Sequence, residues 1–195
     1  MERTSLTLYL ERMSNAGSKT IESFTRAFRL HSLKKNEELK CYIEGQNSIC
    51  FNLDGLLYEW QKEESTLKGG TTPLKFYQPG QLFTLSPKNH PQTTILAIQQ
   101  SHVLISDLNK IKAILTRDPA VLDLINDIYQ QCQRQNHQRI ANLTASPAKV
   151  RYEMASQQLG ALLYHIPKNL LANYLNISRK QLQRIIYQQL LIDKK

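Results

Sequence analysis

Near the C-terminus, Arg179, Lys180, Gln183 and Arg184 gather the donor chemistry that reads nucleic-acid base edges. An Arg fork can make two hydrogen bonds to guanine O6 and N7, and a Gln amide can do the same with adenine. Such side chains work only if a helix carries them into the major groove. The run PKNLLANYLNISRKQLQRIIYQQLL, from Pro167 to Leu191, predicts two short helices joined by a tight turn. Pro167 suits a first helical position, where its missing N–H costs nothing. Leu170, Leu171, Tyr174 and Leu175 follow at helical spacing. Asn176 falls at the sharp turn and tolerates the left-handed conformation better than most residues. Ser178 with Gln181 three residues on is a capping-box signature for a new helix.

In that second helix Leu182, Ile185, Ile186 and Leu190 make one apolar stripe. Lys180, Arg184 and Tyr187 lie roughly opposite, Gln183 on the flank and Arg179 in the exposed first turn. Ala172 is small where the two helices must approach. Helix, short turn and basic-faced helix is the layout of a helix-turn-helix. An ordinary helical hairpin with a solvated basic face has the same pattern.

The segment IPKNLLANYLNISRKQLQRI resembles the DNA-binding segment of the Crp/Fnr family of bacterial transcription regulators. Ala172, Leu175, Ile177, Ser178, Leu182, Arg184 and Ile185 fall on the family's matching positions. Asn176 replaces the usual Gly of the turn, and Lys180 stands where the family often has an acid, which implies a different DNA sequence. The resemblance implies a homodimer on two-fold-related double-stranded DNA. Arg179, Lys180, Gln183 and Arg184 would read base edges, while Ser178, Lys168 and Asn169 would hold phosphates.

The charge distribution agrees with a polyanion partner. The 195 residues carry a net charge of +9, with a pI near 9.5 and a 41% hydrophobic fraction. From Pro147 to Lys195 there are eight Lys and Arg against Glu153 and Asp193, a net of +6. A basic C-terminal module on a nearly balanced body suits nucleic acid, although generic solvation can bias charge in the same way.

Other chemistries find little support. Cys41, Cys50 and Cys132 are scattered without metal or disulfide spacing, as in a reducing cytoplasm. The five histidines show no paired ligand spacing. There is no Gly-rich phosphate loop and no nucleophile–base constellation, and Ser86 with His90 reads as a solvent-facing turn. No enzyme activity, cofactor or metal is expected. No apolar run is long enough to cross a membrane and no signal segment opens the chain, so a cytoplasmic location is expected.

Taken in order, Leu6–Met13 and Lys19–Leu30 predict short amphipathic helices separated by Asn15-Ala-Gly-Ser. From His31 the period shortens. Leu39, Tyr42 and Ile43, then Ile49, Phe51 and Leu53, then Leu56 to Trp60 read as short strands. Gly45-Gln-Asn and Asp54-Gly55 punctuate them as turns, the latter of hairpin type. Lys62–Gly70 predicts an exposed loop. Leu74, Phe76 and Tyr77, then Thr93–Ile98 and Val103–Ile105, complete a sandwich or roll, with Pro79-Gly80 as a turn. This order, followed by Asn109-Lys-Ile-Lys-Ala-Ile-Leu, resembles the same family's sensor domain, a cyclic-nucleotide-binding-like jelly roll.

Asp54-Gly55-Leu56-Leu57 matches the family's Ser-Gly-apolar hairpin, and Tyr77-Gln-Pro79-Gly80 its approach to the phosphate-binding cassette. The family captures cyclic phosphate with Gly-Glu and then an Arg beside a small hydroxyl residue. Here Gly80-Gln81 stands instead, and Lys88-Asn-His-Pro-Gln-Thr-Thr94 contains no Arg. Lys88 offers a point charge, not a planar fork. Cyclic AMP is therefore not the expected ligand. A small-molecule effector, if the roll takes one, would meet Gly80, Gln81, Leu82, Lys88, Thr93 and Thr94.

Asp118-Pro119 predicts the start of a long helix, with Asp as cap and Pro first. Val121, Ile125, Ile128 and Cys132 step by four, three and four. That spacing fits a two-helix seam and equally a helix packed on its own roll; the resemblance implies the dimer. Thr144-Ala-Ser146-Pro147 reads as a hinge into another helix, with Ser146 as cap and Val150, Met154, Gln158 and Leu159 inward. Arg151-Tyr152 matches the family's Arg-Tyr entry to it. Gly160–His165 is too short for a full wing. The expected architecture is α+β: a β-roll with flanking helices over 1–117, a long dimerisation helix over 118–144, and a reduced winged helix-turn-helix over 145–195. A second reading stays open, a dimeric ligand-sensing module whose basic C-terminal helices contact a protein or RNA.

Overall fold

The computed structural model describes residues 2–39, 48–62, 71–85, 93–145 and 147–192. The expected Gly45-Gln-Asn turn, most of the Lys62–Gly70 loop, Ser86, Lys88, His90 and the Ser146 cap lie outside them. Helices α1 (Glu2–Met13) and α2 (Ser18–Arg26) open the chain. Strands β1 (Arg29–Leu33), β2 (Ser48–Asp54), β3 (Leu57–Lys62), β4 (Thr71–Tyr77), β5 (Gln81–Leu85), β6 (Thr93–Ala97) and β7 (Ser101–Asp107) follow. They form two antiparallel sheets, ordered β1-β7-β2-β5 and β4-β3-β6.

Alternation along β2 shows how the layers are made, because successive side chains point to opposite faces. Cys50 joins Leu57, Tyr77, Phe83, Ile95, Ala97 and Val103 in a core between the two sheets. Ile49 and Phe51 point the other way, into a second core shared with Leu6, Leu10, Phe24 and Phe28 of the N-terminal segment. A roll buried on both faces of one sheet explains why β2 is apolar without a clean polar-out pattern.

Three sequence expectations change here. The second helix ends at Arg26 and Leu30 belongs to β1, whose first four residues are exposed and so carry no apolar signal. Gln81–Leu85, directly after the expected Pro79-Gly80 turn, is a strand that its own pattern had not marked. Asp54-Gly55 turns the chain but closes no hairpin: β2 and β3 lie in different sheets, so the turn carries the chain from one layer to the other. The Asp54 carboxylate accepts hydrogen bonds from the His102 N–H (2.8 Å) and ring Nδ1. Buried Asn52 donates through Nδ2 to the Tyr77 carbonyl (2.9 Å) and accepts from the Gly80 N–H (2.7 Å), tying both layer-crossing turns together.

Helix α3 (Leu108–Leu115) leads to α4 (Val121–Ala145). Asp118 does cap, accepting from the Ala120 N–H at 3.2 Å, but the helix starts two residues after Pro119. Val121, Leu124, Ile125 and Ile128 are buried against α1, α2, β2 and Leu82 of the same chain, and Cys132 packs at their edge with its thiol on the Leu82 carbonyl. The residues expected to face a partner copy, Val121, Ile125, Ile128 and Cys132, thus face their own roll. The reason is the β2 outer face: its apolar side chains need a cover, and this stripe is the one the fold brings to them.

Helix α5 (Ala148–Leu159), a 3-10 helix (Gly160–His165), α6 (Lys168–Tyr174) and α7 (Arg179–Ile192) complete the chain. Leu159 is buried as expected, but α5 turns Tyr152 and Ala155 inward with it, whereas Val150, Met154 and Gln158 are exposed. These helices dock on the roll, because Leu56, Phe76 and Ile98 share a core with Tyr152, Leu163, Tyr174 and Leu182. The Phe76 and Tyr174 rings meet at 4.6 Å. Arg139 of α4 lies over the Tyr174 ring, 3.4 Å from its centroid, and donates to the Tyr174 carbonyl at the C-terminal end of α6. Burial lowers the Arg139 pKa, Tyr174 pushes it back up, and the charge of Arg151 lowers it again. A cation at a helix C-terminus also meets the negative end of the helix dipole.

Gly55 sits at φ 76°, and a Cβ there would fall 2.1 Å from Ser101 Oγ and 2.6 Å from the Gln100 carbonyl oxygen. Gly55→Ala should therefore lower the unfolding free energy by roughly 2–5 kcal/mol; a urea midpoint close to wild type would show that the crossing turn yields. Arg139→Leu should cost about 2–4 kcal/mol by losing the ring contact and the charged hydrogen bond. It should also speed proteolytic cleavage of the C-terminal helices, and an unaltered digestion pattern would disprove the clamp.

Candidate nucleic-acid interface

The turn between α6 and α7 is fixed by its own backbone. Asn176 adopts φ 51°, as its place in the sequence requires. Its N–H donates to the Asn173 carbonyl (2.9 Å), and the Ile177 N–H donates to the Ala172 carbonyl (3.0 Å). This pair of bonds is a Schellman motif, which satisfies carbonyls that the end of α6 would leave open. Ser178 then starts α7: its Oγ accepts from the Gln181 N–H at 3.1 Å, and its carbonyl from the Leu182 N–H at 3.0 Å. Pro167 precedes α6 as its N-cap, one position earlier than expected.

Packing sets which way α7 faces. Leu182 and Ile185 are buried and Ile186 half-buried against Leu171, Ala172 and Leu175. Leu190, expected on that stripe, is 55% exposed, because the helix outruns the short α6 beneath it. Arg179, Lys180, Gln183 and Arg184 are exposed on α7, Ser178 is exposed at its start, and Lys168 and Asn169 are exposed in the first turn of α6. The structure brings all seven into the same two-helix unit. Tyr187, at 64% exposure, extends the polar ridge.

Arg151 was legible only as half of an Arg-Tyr match, yet it holds the turn from behind. Its Nε donates to the Leu175 carbonyl (2.9 Å), Nη2 to the Asn176 carbonyl (3.3 Å) and Nη1 to the Leu143 carbonyl (3.4 Å). One guanidinium thus joins the end of α4, α5 and the turn that aims α7. Sequence reasoning also missed Arg139, which sits in a polar run of α4 with no local sign of its partner.

The expected effector residues are spread over several elements. Gly80 and Gln81 line a cleft beside α4, with Gln81 Nε2 donating to Gln135 Oε1 at 3.1 Å. Leu82 is buried in the core beneath α4 and so offers no side chain to a ligand. Thr93 and Thr94 lie on β6 in the other sheet, and Lys88 is outside the described residues. Among the described residues no three His, Cys, Asp or Glu gather as a metal site, and no helix is long and apolar enough to cross a membrane.

No family model matches the sequence, and neither does any curated protein. Solved structures do match. FixK2 from Bradyrhizobium japonicum is 15% identical, covering 83% of each chain, with a TM-score of 0.67. The c-di-GMP responsive global regulator CLP from Xanthomonas campestris is 13% identical, covering 91% of this chain and 93% of its own, with a TM-score of 0.60. A Eubacterium rectale protein described as a transcriptional regulator of the crp/fnr family is 14% identical over 90% of this chain and 85% of its own, with a TM-score of 0.61. At such identities the likeness speaks for the fold, and it agrees with the two sheets, the long helix and the helix-turn-helix read from the residues. The chain has the Crp/Fnr-type fold, a cyclic-nucleotide-binding-like β-roll followed by a helix-turn-helix.

Proposed function

We propose that the chain is a sequence-specific DNA-binding transcription regulator that acts as a homodimer on a two-fold-related operator. The observation that carries this reading is the exposed ridge of Arg179, Lys180, Gln183 and Arg184 on a helix whose opposite face is buried and whose start is capped. Donors on such a helix suit base edges, and Ser178, Lys168 and Asn169 suit the flanking phosphates. The names of the FixK2, CLP and Eubacterium rectale neighbours lend support from fold-level analogy. Residues 1–117 would form the sensor, 118–144 the dimer helix and 145–195 the DNA-binding domain. Gly80-Gln81 and the lack of Arg from Lys88 to Thr94 argue for control by something other than cyclic AMP.

A dimer must use a different face of α4 from the one first expected. Leu122, Asn126, Tyr129, Gln133, Asn136 and Ile140 are spaced four, three, four, three and four residues apart. Leu122 is 49% and Ile140 59% exposed, and Tyr129 is exposed between them. That spacing is the heptad seam of paired helices, and it would set the two copies of α7 about 34 Å apart, one duplex turn.

Selection of bound duplexes from a random pool, with wild type and Arg184→Ala in parallel, tests the reading. Wild type should enrich an inverted repeat, and the variant should relax one position of each half-site at a cost of about 1–3 kcal/mol. Salt-sensitive binding with no enriched sequence would reject base reading and favour a protein or RNA partner for the basic helices. Leu122→Asp with Tyr129→Asp should convert a dimer to a monomer in sedimentation while the fold persists. A dimer mass unchanged by both substitutions would reject this seam.

A further inference from the structure

The cleft beside Gly80 and Gln81 has a volume of about 350 Å³, within the roughly 300–1,000 Å³ of small-molecule sites. It does not lie between the sheets of the roll. Its walls are Tyr9 of α1, the end of β4, the turn before β5 with Gln81, the second half of α4, α5, and Tyr174 of α6. Roll, long helix and helix-turn-helix therefore all contribute to one concavity.

The lining has a specific chemistry. Gln81, Gln131, Gln135 and Gln138 present amides, each with donors and an acceptor. Lys75, Arg139 and Arg151 supply three positive charges, and among the described residues no Asp or Glu lines the cleft. Glu59, which pairs with Lys75 at 3.9 Å, stands outside it. The two guanidiniums are held by carbonyls at the α6–α7 turn, so their charge is already in place for a ligand. An apolar guest would take water from the amide groups that the Gln81–Gln135 bond leaves over without replacing it, and a cation would meet like charge.

We infer that this cleft binds a small organic anion, a carboxylate or phosphate group carried on a hydroxylated body, which bridges the roll to the helix-turn-helix. The anion sits toward Lys75, Arg139 and Arg151, and the amides of Gln81, Gln131, Gln135 and Gln138 read the hydroxyls. Because the walls belong to three segments, the ligand binds the docked arrangement and raises its stability by mass action. This inference stands whether or not α7 reads DNA.

The test is thermal unfolding of the full chain with glucose 6-phosphate, citrate, inorganic phosphate or glucose at millimolar concentration. Glucose 6-phosphate or citrate should raise Tm by a few degrees, and which of them does so identifies phosphate or carboxylate as the anchor. Glucose should leave Tm unchanged. Gln135→Leu with Gln138→Leu should abolish the rise while the ligand-free Tm stays near that of wild type. Gln158 of α5 also lines the cleft, so exposed Gln158→Leu should weaken the rise severalfold, and serves if the double variant misfolds. No shift with either organic anion, an equal shift with glucose or inorganic phosphate, or a shift that survives all these substitutions would overturn the site.

Discussion

Burial of Val121, Leu124 and Ile128 against the N-terminal helices and the outer face of β2 fixes the direction of a 25-residue helix at its first two turns. Everything C-terminal of that contact inherits the direction. The second half of α4 has few apolar side chains of its own, so it reaches the helix-turn-helix through Arg139 and the Leu143 carbonyl, not through a hydrophobic seam. The division is physical. Apolar area holds the helix to the roll, where strength is needed, and directional charged bonds hold it to the reading head, where angle matters.

The docking of α6 on β4 continues the same logic. Phe76 meets the Tyr174 ring at a tilt of 57°, and the Arg139 guanidinium lies over that same Tyr174 ring. The two rings come from sheet and helix, and the cation closes the carbonyl end of α6. The ridge of α7 stays in water because its buried stripe is spent on α6, and the Schellman turn leaves no slack between the two helices. Position, more than any special reactivity, distinguishes Arg179, Lys180, Gln183 and Arg184 from the chain's other exposed polar side chains.

Much of the C-terminal unit was legible because its signals are local. Asn176 at a left-handed position, Ser178 three residues before Gln181, and Leu182 with Ile185 each act within one or two turns of chain. Strand positions that alternate or run apolar were legible for the same reason. What was not legible depends on partners distant in sequence. The four-three-four spacing of Val121, Ile125, Ile128 and Cys132 serves a second copy or the chain's own roll equally well, and only the need to cover Ile49 and Phe51 decides. In α5, Val150 with Met154 and Tyr152 with Ala155 and Leu159 are both helical faces, and the docked roll selects the second. Asp54-Gly55 has hairpin chemistry, but a turn does not encode which sheet the next strand joins. Arg139 and Arg151 look like solvated cations until the carbonyls they bind are brought to them.

The strand order has a consequence for how the molecule comes into being. Arg29–Leu33 pairs in full register with residues 101–105, and β7 also lines the other side of β2. One of the two inner strands of the four-stranded sheet is thus the last of its strands to leave the ribosome. Until it does, β1 has no partner in that sheet, and β2 pairs only with β5. The core of the N-terminal helices waits longer still, because Leu104 arrives with β7 and Ile111, Val121, Leu124 and Ile128 only after it. Such long-range closure makes for slow folding and a nascent chain with open edges. While residues 101–107 are still inside the ribosome the emerged sheet keeps open edges, and their emergence closes it before α4 arrives to cover Ile49 and Phe51.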